Sequence, residues 1–274
     1  MPLRVICDVI PALVINLASR RDRWKRVSRR LAAAGIPFER VNATGEPDPV
    51  RGCARSHLRA LRRCEGSNWR LIFEDDVLVR ADFAHWVDLL PRQLANVEWD
   101  ICYLGVQLAA GTRERAVAPN LIRFDHGLHT HGYFVRGASV PKLMRIAKAC
   151  AFAKGWCAHI DEVFSQTSSI IKLRTTPLLA IQEDGYSDIA GCDLRRLEIY
   201  AGWEDFSPIG DEKQRKTPRR RGTHASAAES LTKTARGEHS LPVQSATVSS
   251  RTACRDKRVS NSTVRSKAIP DPTR

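Results

Sequence analysis

The chain has 274 residues, 43% of them hydrophobic, and a formal net charge of +14. That length suits one large domain, or one domain and a tail, and the apolar content supports a real core. No run approaches the roughly 20 apolar residues of a membrane span, and the eight cysteines form no CxxC pair and no zinc-type spacing, so nothing demands a disulfide framework.

The charge is unevenly spread. From Pro208 onward, fifteen Lys or Arg stand against six Asp or Glu, a balance of +9, and the stretch shows no sustained apolar periodicity. Such a segment cannot bury enough apolar surface to offset its ordering entropy. The expected organisation is therefore a folded domain over residues 1–207 and a disordered basic tail rich in Ser, Thr and Arg over 208–274. A basic balance held mostly in a tail argues little for a nucleic-acid-binding fold. Aromatic residues are only 7% of the chain, too few to interleave as base-stacking platforms, and no specific nucleic acid is expected. The first residues, MPLRVICDVIPALVINL, are apolar but broken by Asp8 and Pro11, with no cleavage-site pattern, so a cytoplasmic setting is the default.

In chain order, PALVINL (11–17) reads as a buried strand. SRRDRWKRVSRRLAAAG follows as a helix, with Ser19 and Asp22 placed for a capping box and Gly35 for a stop. Trp24, Val27, Leu31 and Ala34 line one face, opposite Arg21, Lys25, Arg26, Arg29 and Arg30. A short strand spans 36–41. After a Gly- and Pro-containing loop comes a helix from Cys53 through CARSHLRALRRCE, which Ser56 and His57 help to open. A third strand, 70–73, ends in Glu74, Asp75 and Asp76. Further on, ADFAHWVDLLPRQLA predicts a helix broken at Pro91. Strands are expected at 100–104 and 130–135, a loop insertion at 107–120, a helix at 138–149, and late strands at 170–173 and 178–181. Alternating strands and helices mean an α/β domain with a mostly parallel central sheet.

The acidic triplet raises the functional question. Adjacent carboxylates at the end of an apolar strand repel one another unless something cationic meets them. In open α/β sheets, ligands sit beyond the carboxyl ends of the strands, where this triplet lies. A hard divalent cation, Mn²⁺ or Mg²⁺, takes such oxygen ligands and leaves room for a diphosphate. The competing reading is a solvated strand end.

Six stretches, VINLASRRDRW, GCARSH, LIFEDDVLV, HGYFVRGASVPKLM, HIDEVF and QEDGYSDI, follow one another in an order that resembles glycosyltransferase family 25. That family groups lipopolysaccharide-type galactosyltransferases with collagen galactosyltransferases. The resemblance runs from about Pro11 to Gly191 and implies a GT-A-type, Rossmann-like nucleotide-sugar domain. It also implies a metal-dependent, inverting transfer of a hexose, galactose being the best match, from a UDP-sugar to a saccharide of lipopolysaccharide or another surface glycoconjugate. Glu74, Asp75 and Asp76 are then metal ligands, and Asn16, Arg20, Arg23, Ser56 and His57 are candidates for holding the nucleotide. Arginine forks suit a diphosphate. Inversion needs a base near the acceptor hydroxyl, with Asp161 as first choice, Glu162 as rival and Asp188 third. For Asp161 the alternative is an ordinary helix N-cap. His129, His131 and His159 are further candidates to complete a metal shell, with nothing in the sequence selecting among them. A peripheral position on an anionic membrane surface, through the basic helix face and tail, is a further expectation. Two other classes remain open: a metal-dependent nucleotidyl- or phosphoryl-transfer enzyme using the same triplet, and a non-enzymatic basic nucleic-acid-binding protein.

Overall fold

A computed structural model describes residues 11–194, 199–200 and 205–209, all within one compact unit, Met1–Thr217. The basic tail expected from residue 208 lies outside the described residues beyond Ile209. Ser207 and Ile209 themselves pair with the fold, through Ala81 N–H to the Ser207 carbonyl and Ile209 N–H to the Val79 carbonyl.

β1 (Ala12–Asn16) is buried at all five positions, the pattern of a strand covered on both faces. α1 (Arg21–Ala33) packs Val27 and Leu31 into the core. Its expected capping box does not form: the N-cap is Arg20, without a side-chain cap bond. Asp22 falls one position too early to reach back, and its carboxylate pairs with Arg20 and Arg26 instead. β2 (Phe38–Asn42) follows. α2 (Pro49–Arg62) starts earlier than expected, because Asp48 caps it through the Val50 and Arg51 N–H groups and Pro49 takes the first helical position. Ser56 and His57 therefore lie mid-helix rather than opening it.

β3 (Trp69–Glu74) ends in the triplet, and β4 (Val77–Val79) leaves the main sheet. α3 (Phe83–Leu94) runs through Pro91 without breaking. Pro91 stands in the last turn, where its missing N–H removes one bond, and buried Leu90 and Leu94 hold the turn in place. β5 (Ile101–Tyr103), β6 (Gln107–Leu108), β7 (Glu114–Ala118), β8 (Leu121–Phe124), β9 (Gly127–Leu128) and β10 (Gly132–Arg136) come next. The expected 107–120 loop thus contains two strands. β7 is exposed at its first three positions, so ladder hydrogen bonds rather than burial make it a strand. α4 (Val140–Phe152), α5 (Ile160–Gln166), β11 (Lys172–Thr175), β12 (Ala180–Gln182), β13 (Gly185–Ser187) and β14 (Cys192–Leu194) complete the described fold.

The main sheet has the order β2-β1-β3-β10-β5-β11-β8-β7. Six of its eight strands run the same way, while β10 and β8 oppose them. The sheet is mixed, with a mostly parallel strand direction. α1 and α3 share one core with one sheet face, and α2, α4 and α5 share the other. Among the described residues no helix is long and apolar enough to cross a membrane.

Register decides what meets at the carboxyl edge. Ile15 pairs with Glu74 and Asn16 with Asn42, so the ends of β1, β2 and β3 are nearly flush. β10 starts at the same edge, Gly132 opposite Phe73, and brings residues 129–131 there. β12 pairs with β4, and the Glu183 N–H donates to the Asp76 carbonyl at 2.7 Å. That contact lays the 183–188 stretch beside the triplet.

Candidate active site

The strand-end triplet is divided between the two faces of the sheet. Glu74 turns toward α2, where its Oε1 stands 3.2 Å from His57 Nε2 and accepts a 2.8 Å bond from the Thr130 hydroxyl. These partners outweigh the effect of burial and hold its carboxyl at about 2. Asp75 and Asp76 turn toward α1. Asp75 accepts from Asn16 Nδ2 at 2.5 Å and from Arg23 at 3.1 Å. Burial nevertheless raises its pKa. Asp76 Oδ2 accepts from Arg23 at 3.2 Å and from Gln182 Nε2 at 2.9 Å. Its Oδ1 is buried with no hydrogen-bond partner among the described residues. Burial first, then the charges of Glu74 and Asp75, push the Asp76 carboxyl up to about 7.

A small open cleft lies over Asp76, lined by Arg20, Arg23, Arg26 and the 183–187 stretch. Arg23 also donates to the Tyr186 carbonyl at 2.5 Å. Arg20 pairs with Asp188 at 2.9 Å. Arg30 grips Glu183 through both guanidinium nitrogens, at 2.7 and 3.1 Å, and Arg26 adds a third contact to the same carboxylate. This network docks the β13–β14 hairpin onto α1 by ion pairs and backbone bonds.

The sequence candidates fall into two groups. Asn16, Arg20, Arg23, Asp75, Asp76 and Asp188 gather on the α1 side. Asn16 spends its amide internally, donating to Asp75 and to the Arg20 carbonyl and accepting from Arg40, so it positions Asp75. Asp188 is exposed and already paired with Arg20. Ser56, His57, Glu74 and Asp161 gather on the α2 side. The Ser56 hydroxyl accepts the Thr44 N–H at 2.8 Å and donates to the Gly52 carbonyl at 2.6 Å, tying the preceding loop to the helix. His57 Nδ1 stands 2.8 Å from the Tyr133 hydroxyl. Asp161 lies in the first turn of α5, behind an N-cap at His159, and its carboxylate accepts the His129 and Glu162 N–H groups. Glu162 is half-buried, which together with Asp161 raises its pKa. Neither Asp161 nor Glu162 lines the arginine cleft.

Arg40, Gln182 and Thr130 escape sequence reasoning. Arg40 clamps Asn16 and stacks over Trp24, 5.1 Å from the ring centroid. Gln182 and Thr130 hold Asp76 and Glu74. His129 and His131 both approach the Tyr200 hydroxyl, at 2.9 and 3.3 Å, and His129 adopts a positive φ of 83°, a strained conformation for a non-glycine residue. His129 and His131 are among the histidines the sequence offers for a metal shell, whereas nothing in the sequence singles out Arg40, Gln182 or Thr130.

The donor set around Asp76 fits a hard cation: carboxylate oxygens, one of them buried without a hydrogen-bond partner among the described residues, beneath an arginine-lined opening whose charge suits phosphate. No family model and no curated protein matches the chain. Among solved structures it is similar to a Bacillus anthracis protein described as a glucose-1-phosphate thymidylyltransferase, in complex with sucrose. Identity is 10% and the TM-score 0.34, with 64% of this chain and 72% of that chain covered. A likeness at that level says nothing about chemistry.

Proposed function

We propose that the chain is a divalent-cation-dependent transferase acting on a nucleotide diphosphate, and specifically a GT-A-type glycosyltransferase of family 25. One observation supports this reading above the others. Asp76 offers a buried oxygen without a hydrogen-bond partner among the described residues, at the floor of an arginine-lined cleft. Arg23 reaches only the other oxygen of that carboxylate, and a buried carboxylate oxygen left without a partner is costly unless a cation completes it. Asp76 with Asp75 would hold Mn²⁺ or Mg²⁺. The bound cation supplies Lewis-acid neutralisation of the charge that grows on a nucleoside diphosphate leaving group. Arg20, Arg23 and Arg26 bind the diphosphate oxygens through their planar forks. Asp161 takes the proton of the acceptor hydroxyl, with Glu162 as the alternative. Asp188, paired with Arg20, anchors the hairpin. The UDP-galactose donor, the lipopolysaccharide-type acceptor and a place on the cytoplasmic membrane face rest on the resemblance to the family and on the basic segments.

A second reading, nucleotidyl or phosphoryl transfer, draws on a different observation. The base candidates Asp161 and Glu162 stand outside the cleft. A sugar phosphate attacking a nucleoside triphosphate is already an anion and needs no protein base.

The two readings separate by product. Incubation with UDP-galactose and Mn²⁺ should release UDP, and the release should vanish with EDTA or in Asp76→Asn. Pyrophosphate release from a nucleoside triphosphate and a hexose 1-phosphate, without UDP release, would replace the first reading by the second. Absence of both products, with no calorimetric binding of UDP and Mn²⁺, would reduce the triplet to a strand end.

A further inference from the structure

We propose that Cys53, His57 and Glu74 form a second metal site, which takes zinc or another thiophilic divalent ion. Cys53 and His57 stand four residues apart on α2, a spacing that puts both side chains on one helix face. Glu74 meets that face from the end of β3. A sulfur, an imidazole nitrogen and a carboxylate oxygen from these three residues all lie within 4.8 Å of one another.

The separation of His57 Nε2 from Glu74 Oε1 is 3.2 Å. Two ligand atoms at ordinary zinc distances of about 2.0–2.1 Å in tetrahedral geometry stand about 3.3 Å apart, so this pair is spaced for a shared ion. The outer contacts are also those of a metal centre. Tyr133 fixes the second ring nitrogen of His57 at 2.8 Å, and Thr130 orients the Glu74 carboxylate at 2.8 Å. Metal-binding histidines are oriented through their other ring nitrogen in this way. The surroundings are anionic, with Asp161 and Asp76 adding their fields to that of Glu74 at the Cys53 sulfur.

The donor chemistry differs from that of the Asp75–Asp76 pair. Thiolate and imidazole favour zinc, whereas an all-oxygen set favours magnesium or manganese. On binding, the Cys53 sulfur gives its proton to solvent and its electron pair to the ion, with no redox change. The ion clamps the middle of α2 to the strand end and keeps Glu74 on the α2 face, away from the diphosphate cleft. The inference does not rest on the transferase reading.

The test uses the full chain, purified without chelators. Elemental mass spectrometry should find about one zinc per chain. After zinc removal, cobalt should give a near-ultraviolet thiolate-to-metal absorption band. The band and the zinc should be lost in Cys53→Ser and in His57→Gln and kept in Asp76→Asn, which reports the other site. Folded wild-type protein that holds no zinc and shows no such band on cobalt addition overturns the proposal without any variant. A band that survives Cys53→Ser overturns it as well, because the ion then belongs to another cysteine.

Discussion

Asp76→Asn is the most informative single change, because two readings of Asp76 predict opposite effects on stability. In the folded chain its carboxyl sits at about 7 instead of the ordinary 3.8. By linkage, that difference carries at most about 4 kcal/mol of penalty once the group is ionised. Below about pH 4 the folded and unfolded chains both hold the proton and the penalty is absent. Between about pH 4 and 7 the unfolded chain releases it while the folded chain keeps it, so wild-type stability falls as pH rises. Above about pH 7 the penalty is complete. Asparagine keeps the shape, lets Gln182 retain an acceptor and removes the charge. It also gives up the attraction of Arg23, which keeps its bond to Asp75. The net expectation at pH 8 with EDTA is a gain of about 1–3 kcal/mol in urea unfolding, shrinking toward zero at pH 5. Adding Mn²⁺ should stabilise wild type and leave the variant unchanged. If Asp76→Asn is destabilised at pH 8 without cation, Asp76 is simply the structural partner of Arg23, and the argument for a cation site fails.

Arg23 bridges Asp75 and Asp76 and so stands in as their counter-ion. Arg23→Gln should tighten Mn²⁺ binding in the absence of nucleotide and weaken UDP binding, each by about 3- to 10-fold in calorimetry, in line with about 1 kcal/mol per such contact; loss of both affinities together would refute the counter-ion role. Glu74 is held at about 2 by His57 and Thr130, so its contribution is fully present above about pH 4.5 and lost as pH falls through about 2. Glu74→Gln should cost about 1–3 kcal/mol at pH 7, with urea midpoints of the two proteins converging toward pH 2. A β-carbon at Gly105 would lie 1.9 Å from the Ala180 carbonyl oxygen, where the Leu179 and Ala180 N–H groups both bond to the Leu104 carbonyl. Gly105→Ala should therefore cost about 3 kcal/mol or prevent folding, and a wild-type thermal midpoint would show that the close approach is not needed.

Much of this protein is encoded locally. The five buried residues of β1 were legible as a covered strand, the three-and-four spacing of Trp24, Val27 and Leu31 as a helix face, and the triplet as the end of an apolar strand. Each depends on period and composition within about a dozen residues. The start of α2 is not legible in the same way, because its true start signal, Asp48 and Pro49, stands in a stretch whose composition is that of a loop.

Tertiary structure alone decided what those pieces do together. The turn after β3 sends Glu74 to one face and Asp75 and Asp76 to the other, so three adjacent carboxylates serve two clusters. Arg23 meets the Tyr186 carbonyl across 163 residues of chain. Thr130 reaches Glu74 only because β10 lies antiparallel to β3. Cys53 and His57 showed no metal spacing in the sequence, since their third partner arrives from a strand. Local periodicity specifies which element forms and which face is apolar. Which charges end up sharing one cleft depends on strand order and register, and those are settled by packing across the whole sheet.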